Sequence, residues 1–144
     1  MPRALFEGRE KQKIPLPTAA ESRLLHILWD KGEATVEAVV HAHPEAERPN
    51  YKTTQTLLRI MEQKGLITHE SRGRVFVFRP IVDRKTIDRR AVQALLSQNF
   101  GGSATDLFVN LLEAGPVKEE ELDELESYIR EYRRKSESEG RDRD

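Results

Sequence analysis

Residues 50–79 read NYKTTQTLLRIMEQKGLITHESRGRVFVFR, and two periodicities meet in that one run. From Lys52 to Lys64, Thr54, Leu57, Leu58 and Met61 recur at i, i+3, i+4, i+7, while Lys52, Gln55, Thr56, Arg59 and Gln63 fill the complementary positions. That spacing predicts a helix with one face for a core and one for a partner, closed by Gly65. Beyond it, Leu66–Glu70 leads through Ser71-Arg72-Gly73-Arg74 into Val75–Arg79 before Pro80. Two β-rich runs around a glycine-containing turn predict a hairpin.

Toward the N-terminus the helical signals repeat. Thr18 and Glu21 have capping-box spacing, Leu24, Leu25 and Leu28 follow at helical intervals, and Asp30-Lys31-Gly32 supplies a stop. Thr35 is the next cap, with Val36, Val39 and Val40 on one face and an end before Pro44. Helix, helix, helix, hairpin is the order of a winged helix, in which the second and third helices form a helix-turn-helix and the hairpin is the wing. The expected domain is 18–80. Trp29 is read as core and Met1–Pro17 as a flexible arm, disordered or loosely docked, because that stretch is charged and without sustained periodicity.

After Pro80 only helices are predicted. Asp83 caps one with Ile87, Ala91, Ala94 and Leu95 inward, ending near Gly101-Gly102. Ser103 with Asp106 opens another, carrying Leu107, Phe108, Leu111 and Leu112 to Gly115-Pro116. The last runs from about Lys118 to Lys135, with Leu122, Leu125, Ile129 and Tyr132 at the 3-4-3 spacing of a helix-packing seam. Three helices over residues 81–135 are too short to enclose their own apolar side chains. Pairing with the same segment of a second chain covers them, so the expected fold is a mainly α chain with a small hairpin wing, its N-terminal winged helix followed by a three-helix dimerisation domain. Residues 136–144 are expected to be a disordered tail.

Charge locates the partner of the first domain. The chain carries a net −1, yet Arg48–Arg79 holds seven Lys/Arg against two Glu. If the third helix enters a major groove, Lys52, Thr53, Gln55 and Thr56 near its start are the candidates for base edges. Arg59, Arg72 and Arg74 are placed for phosphates, and Tyr51, just before the helix, for a phosphate or for stapling the helix start. On an arbitrary helix such a face is merely solvated; the hairpin and the concentrated charge favour double-stranded DNA. The alternative is a winged-helix protein-interaction module without sequence-specific DNA binding.

Other chemistries find no support in the residues. The chain has no cysteine, so disulfides and thiolate zinc sites are out. His26, His41, His43 and His69 lack metalloprotease spacing, and His41 and His43 are read as surface residues. No phosphate-cradling loop or nucleophile elbow is present, so no enzyme, metal or cofactor is expected. Without a long apolar run or a signal-peptide pattern, a cytoplasmic chain with no direct membrane association is expected.

TAAESRLLHILWDKG at 18–32, the 50–79 stretch above and GGSATDLFVNLL at 101–112 together resemble the penicillinase-repressor family of BlaI/MecI type, over about residues 15–135. The resemblance implies a homodimeric winged-helix repressor of resistance or stress genes acting on a palindromic operator, with Lys52, Thr53, Gln55 and Thr56 where the family's recognition helix touches DNA. In its antibiotic-responsive members a membrane-bound sensor protease triggers cleavage after an Asn in the dimerisation region, and the matching bond here is Asn110-Leu111. Those members have Phe after the Asn where this chain has Leu111. Copper-responsive relatives bind metal through a C-terminal cysteine cluster, which this chain lacks.

Overall fold

The structure, a computed structural model, describes residues 14–143. Most of the expected arm, residues 1–13, lies outside that range. Its end is docked: Ile14 packs against the core, and its carbonyl accepts from Arg90 Nη2 at 2.8 Å.

The first helix, α1, spans Ala19–Lys31. Its start is fixed by the reciprocal capping box read from the sequence: Glu21 N–H donates to Thr18 Oγ1 at 3.2 Å, and Thr18 N–H to Glu21 Oε1 at 2.9 Å. Helix α2, Val36–His41, is capped by Thr35, whose hydroxyl accepts from Ala38 N–H at 3.1 Å. Helix α3, Tyr51–Lys64, begins one residue earlier than expected, because the Asn50 carboxamide caps it by accepting from Lys52 N–H at 2.7 Å. Tyr51 is therefore the first helical residue. Gly65 closes the helix at φ 87°, a left-handed conformation that a Cβ disfavours.

Strands β1, Ile67–Arg72, and β2, Val75–Pro80, form an antiparallel hairpin with Arg72 opposite Val75. The turn is tighter than expected. Only Gly73 and Arg74 lie outside the ladder, with Gly73 at φ 64° supplying the positive dihedral at the first central position. Ala34, between α1 and α2, bridges to the free edge of β2: its N–H donates to Phe78 O at 2.9 Å, and Phe78 N–H donates back to Ala34 O at 2.8 Å.

Leu24, Leu25 and Leu28 of α1, Val36, Val39 and Val40 of α2, and Leu58 and Met61 of α3 meet Leu66, Ile67 and Phe78 of the hairpin in one core. This is the predicted winged-helix arrangement. Trp29 lies at the margin of the core rather than inside it, donating its indole N–H to Val82 O at 3.1 Å. His43, expected at the surface, is buried, with Nδ1 2.9 Å from Val39 O; the chain turns inward there after α2 and satisfies the ring locally.

Helices α4, Arg84–Asn99, α5, Ala104–Ala114, and α6, Glu119–Arg143, complete the chain. Contacts divide it into two units, one through Ala94 and one from Leu95 onward, so the division falls inside α4 rather than at Pro80. Of the residues predicted to face inward on α4 only Ile87 is buried, while Ala91 and Leu95 are exposed. Ile87 joins the winged-helix core. The expected disordered tail is helical as far as Arg143. Lys135–Glu139 and Glu137–Arg141 have i, i+4 spacing that supports a polar helix without an apolar face.

Candidate nucleic-acid interface

The polar face of α3 is laid out by the helix period. Thr54, Leu58 and Met61 are buried, so Lys52, Thr53, Thr56 and Arg59, on the other side, are exposed, and Gln55 between the two faces is half-buried. Thr54 donates its hydroxyl to Asn50 O at 3.1 Å, which lets a polar residue sit in the core. Thr56 donates to Lys52 O at 3.0 Å, so its hydroxyl presents lone pairs and a methyl group outward.

Between α3 and the wing runs an open groove of about 260 Å³, lined by Tyr51, Gln55, Arg59 and Glu62 of α3, by His69, Val75, Phe76 and Phe78 of the hairpin, by Arg74 at its turn, and by Thr35, Val36 and Glu37. Tyr51, Gln55, Arg59 and Arg74, four of the sequence-predicted residues, converge on it, and Lys52, Thr53 and Thr56 stand on the adjoining exposed surface of α3. Lys52, Arg59 and Arg74 have no ion pair or hydrogen bond through their side chains among the described residues, so their charge faces outward. His69 Nδ1 lies 2.6 Å from Glu62 Oε2, tying wing to helix, and the His69 ring stacks with Phe76 at 4.5 Å between centroids.

Arg72 is placed differently. Its guanidinium donates to Glu33 Oε1 at 2.7 Å and Oε2 at 2.9 Å, and through Nε to Glu70 Oε1 at 2.7 Å, with Nη2 also paired to Glu70. The Arg72 fork holds the Glu33 carboxyl below its ordinary pKa, and Glu33 and Glu70 in turn raise that of Arg72. The Glu70 half was legible as two opposite charges two residues apart on one strand face. The Glu33 half was not, since 39 residues separate the partners.

The residues predicted to dimerise lie on α5 and α6. Leu107, Leu122 and Leu125 are half-buried, and Phe108, Leu111, Leu112, Ile129 and Tyr132 are exposed at 41–75% of their surface. Neither helix has a buried residue among those described. Asn110 is exposed on α5, donating Nδ2 to Asp106 O at 2.8 Å. No group of His, Asp or Glu able to hold a metal is found among the described residues, and no helix there is long and apolar enough to cross a membrane.

Residues 17–131 match the sequence model of a family described as penicillinase repressor. The chain belongs to the penicillinase-repressor family. Its members are DNA-binding transcriptional repressors rather than enzymes, in keeping with the reading of α3 and the hairpin. A penicillinase repressor of Bacillus licheniformis is 26% identical over 122 residues, covering 85% of this chain and 95% of that one. The methicillin resistance regulatory protein MecI of Staphylococcus aureus strain N315 is 20% identical over 112 residues, covering 78% and 91%. The solution structure of the DNA-binding domain of the repressor BlaI aligns at 30% identity with a TM-score of 0.45, over 50% of this chain and 88% of that domain.

Proposed function

We propose that two copies of this chain, paired through α5 and α6, bind a palindromic operator in double-stranded DNA and repress the gene beside it. The observation that carries the reading is the two-sided α3: one face is core, and the other offers Lys52 and Arg59 with no partner among the described residues, beside Thr53, Thr56 and Gln55. Such a helix can read base edges with its first turns while Arg59 and Arg74 neutralise phosphates. Binding neutralises phosphates and releases counterions, so affinity must fall steeply with salt.

Fluorescence anisotropy on a duplex from the upstream region of its own gene, at 50 and 200 mM salt, tests this. The expected result is at least tenfold weaker binding at the higher salt, with unrelated duplexes much weaker at both. Gln55→Ala should narrow the gap between specific and unrelated duplexes. Salt-independent or absent binding refutes the reading. It would turn attention to Tyr51, Val75 and Phe76, half exposed around the groove, as anchors for a protein partner.

Induction by proteolysis belongs to the same proposal, with a membrane-bound sensor protease as the further partner. A cut between Asn110 and Leu111 would sever α6 from the DNA-binding unit and remove half of the pairing surface. The bond lies within α5, so a protease must first unwind that helix locally; its exposed face and the Gly115-Pro116 stop keep the cost of unwinding low. Mass spectrometry of the protein from induced cells should find a fragment ending at Asn110, and an intact chain refutes this step.

A further inference from the structure

Given the DNA-binding reading above, we propose that Arg72 is a positioning residue of the wing, clamped by Glu33 and Glu70, and that Arg74 is the wing arginine that meets phosphate. Two independent observations carry this. The first is occupancy. Glu33 takes the Arg72 fork through both carboxylate oxygens at 2.7 and 2.9 Å, and Glu70 takes the Nε side at 2.7 Å, so most of the guanidinium N–H groups already have carboxylate acceptors. A phosphate would have to displace two acids, and its own charge is repelled by both.

The second is the face of the sheet. Opposed residues of an antiparallel pair share a face, and successive residues alternate. The register sets Glu70 opposite Val77 and Arg72 opposite Val75, which puts Glu70, Arg72, Val75 and Val77 on one face and His69, Phe76 and Phe78 on the other. His69, Phe76 and Phe78 line the groove with Gln55 and Arg59, whereas of the Arg72 face only Val75, next to the turn, lines it, and the clamped Arg72 and Glu70 do not. Arg74, at the turn, lines the groove itself.

The clamp also has a firm anchor. Glu33 is adjacent to Ala34, whose two backbone hydrogen bonds hold it to Phe78 of β2. Its side chain reaches the β1 residue Arg72, so β2 is tied on one edge through its backbone and spanned on its outer face by an ion pair. The wing tip, and Arg74 with it, is thereby fixed relative to α1 and α2.

The full-length protein and the upstream duplex, titrated from 50 to 200 mM salt, test the assignment. Arg74→Gln should flatten the slope of log affinity against log salt by about 0.9 per wing, hence about two per dimer. Arg72→Gln and Glu33→Gln should leave the slope unchanged and weaken binding about threefold to fivefold, with the double variant no weaker than either single one. Arg72→Lys should resemble Arg72→Gln, since an ammonium cannot reproduce the fork. The proposal is overturned if Arg72→Gln flattens the slope as Arg74→Gln does, or if Glu33→Gln tightens binding by releasing Arg72. Should Arg72→Gln fail to fold, Glu33→Gln and Arg72→Lys decide the matter. If the unmodified protein shows no salt-dependent binding, the functional reading fails, and amide exchange still judges the clamp: faster wing exchange in Glu33→Gln supports it and unchanged exchange refutes it.

Discussion

Glu21 shows how much one residue can join. Its carboxylate is 1% exposed, yet it completes the capping box at Thr18 and accepts from Lys64 Nζ at 2.8 and 2.9 Å, fastening the start of α1 to the end of α3. Burial pushes its pKa up, but the Lys64 ammonium and the Thr18 N–H outweigh that and hold it below the ordinary glutamate value of 4.5. A depressed folded pKa adds stability that is complete above the unfolded value and lost as pH falls through the folded one. In urea melts, the stability advantage of the native chain over Glu21→Gln should therefore be full at pH 7 and shrink below about pH 4.5. Lys64→Ala, which leaves a buried carboxylate without its cation, should cost about 2 kcal/mol at neutral pH, less than for a sealed pair because Lys64 is 30% exposed. The capping box was legible because Thr18 and Glu21 are three residues apart; Lys64 was not, because only folding brings it across 43 positions.

At the scale of elements, α3 must keep its first turn rigid, since Lys52, Thr53, Gln55 and Thr56 all lie within it or just beyond. Asn50 does this with one hydrogen bond to Lys52 N–H. Asn50→Ala should lower stability by about 1 kcal/mol in thermal or urea unfolding and weaken specific DNA binding more than non-specific binding. At the other end Gly65→Ala should cost about 1 kcal/mol, because its backbone stands at φ 87°; the added Cβ would meet Ile14 Cγ1 at an ordinary contact distance of 3.6 Å. The caps, the hairpin turn and the stops as far as Gly115-Pro116 were readable within a residue or two, for each is written in a window of three or four residues; the end of α6, which has no such stop, was placed eight residues too early. The inward face of α4 was misread beyond Ile87, because periodicity shows that a helix has an apolar side and not what covers it.

At the scale of the molecule, the unit from Leu95 onward leaves Phe108, Leu111, Leu112 and Ile129 at 41–53% exposure. Apolar area of that extent on two adjacent helices calls for a partner. Leu111→Asp with Ile129→Asp should give single chains by sedimentation at micromolar concentration and weaken binding to a two-half-site operator by about 100-fold, the loss of avidity. Fluorescence of Trp29, the single tryptophan, should be unchanged, since it reports on the winged-helix unit. A dimer that survives the double substitution would refute pairing through this surface.

Local chemistry in the chain determined the element order, the caps and the two-sided α3, because each depends on neighbours a few residues apart along the backbone. Tertiary structure alone decided that Lys64 belongs to Glu21, that Arg72 is held by Glu33 and does not line the groove, and that His43 is buried. Those outcomes depend on which distant side chains meet when the helices close on the hairpin, and charge or periodicity along the sequence carries no record of that meeting.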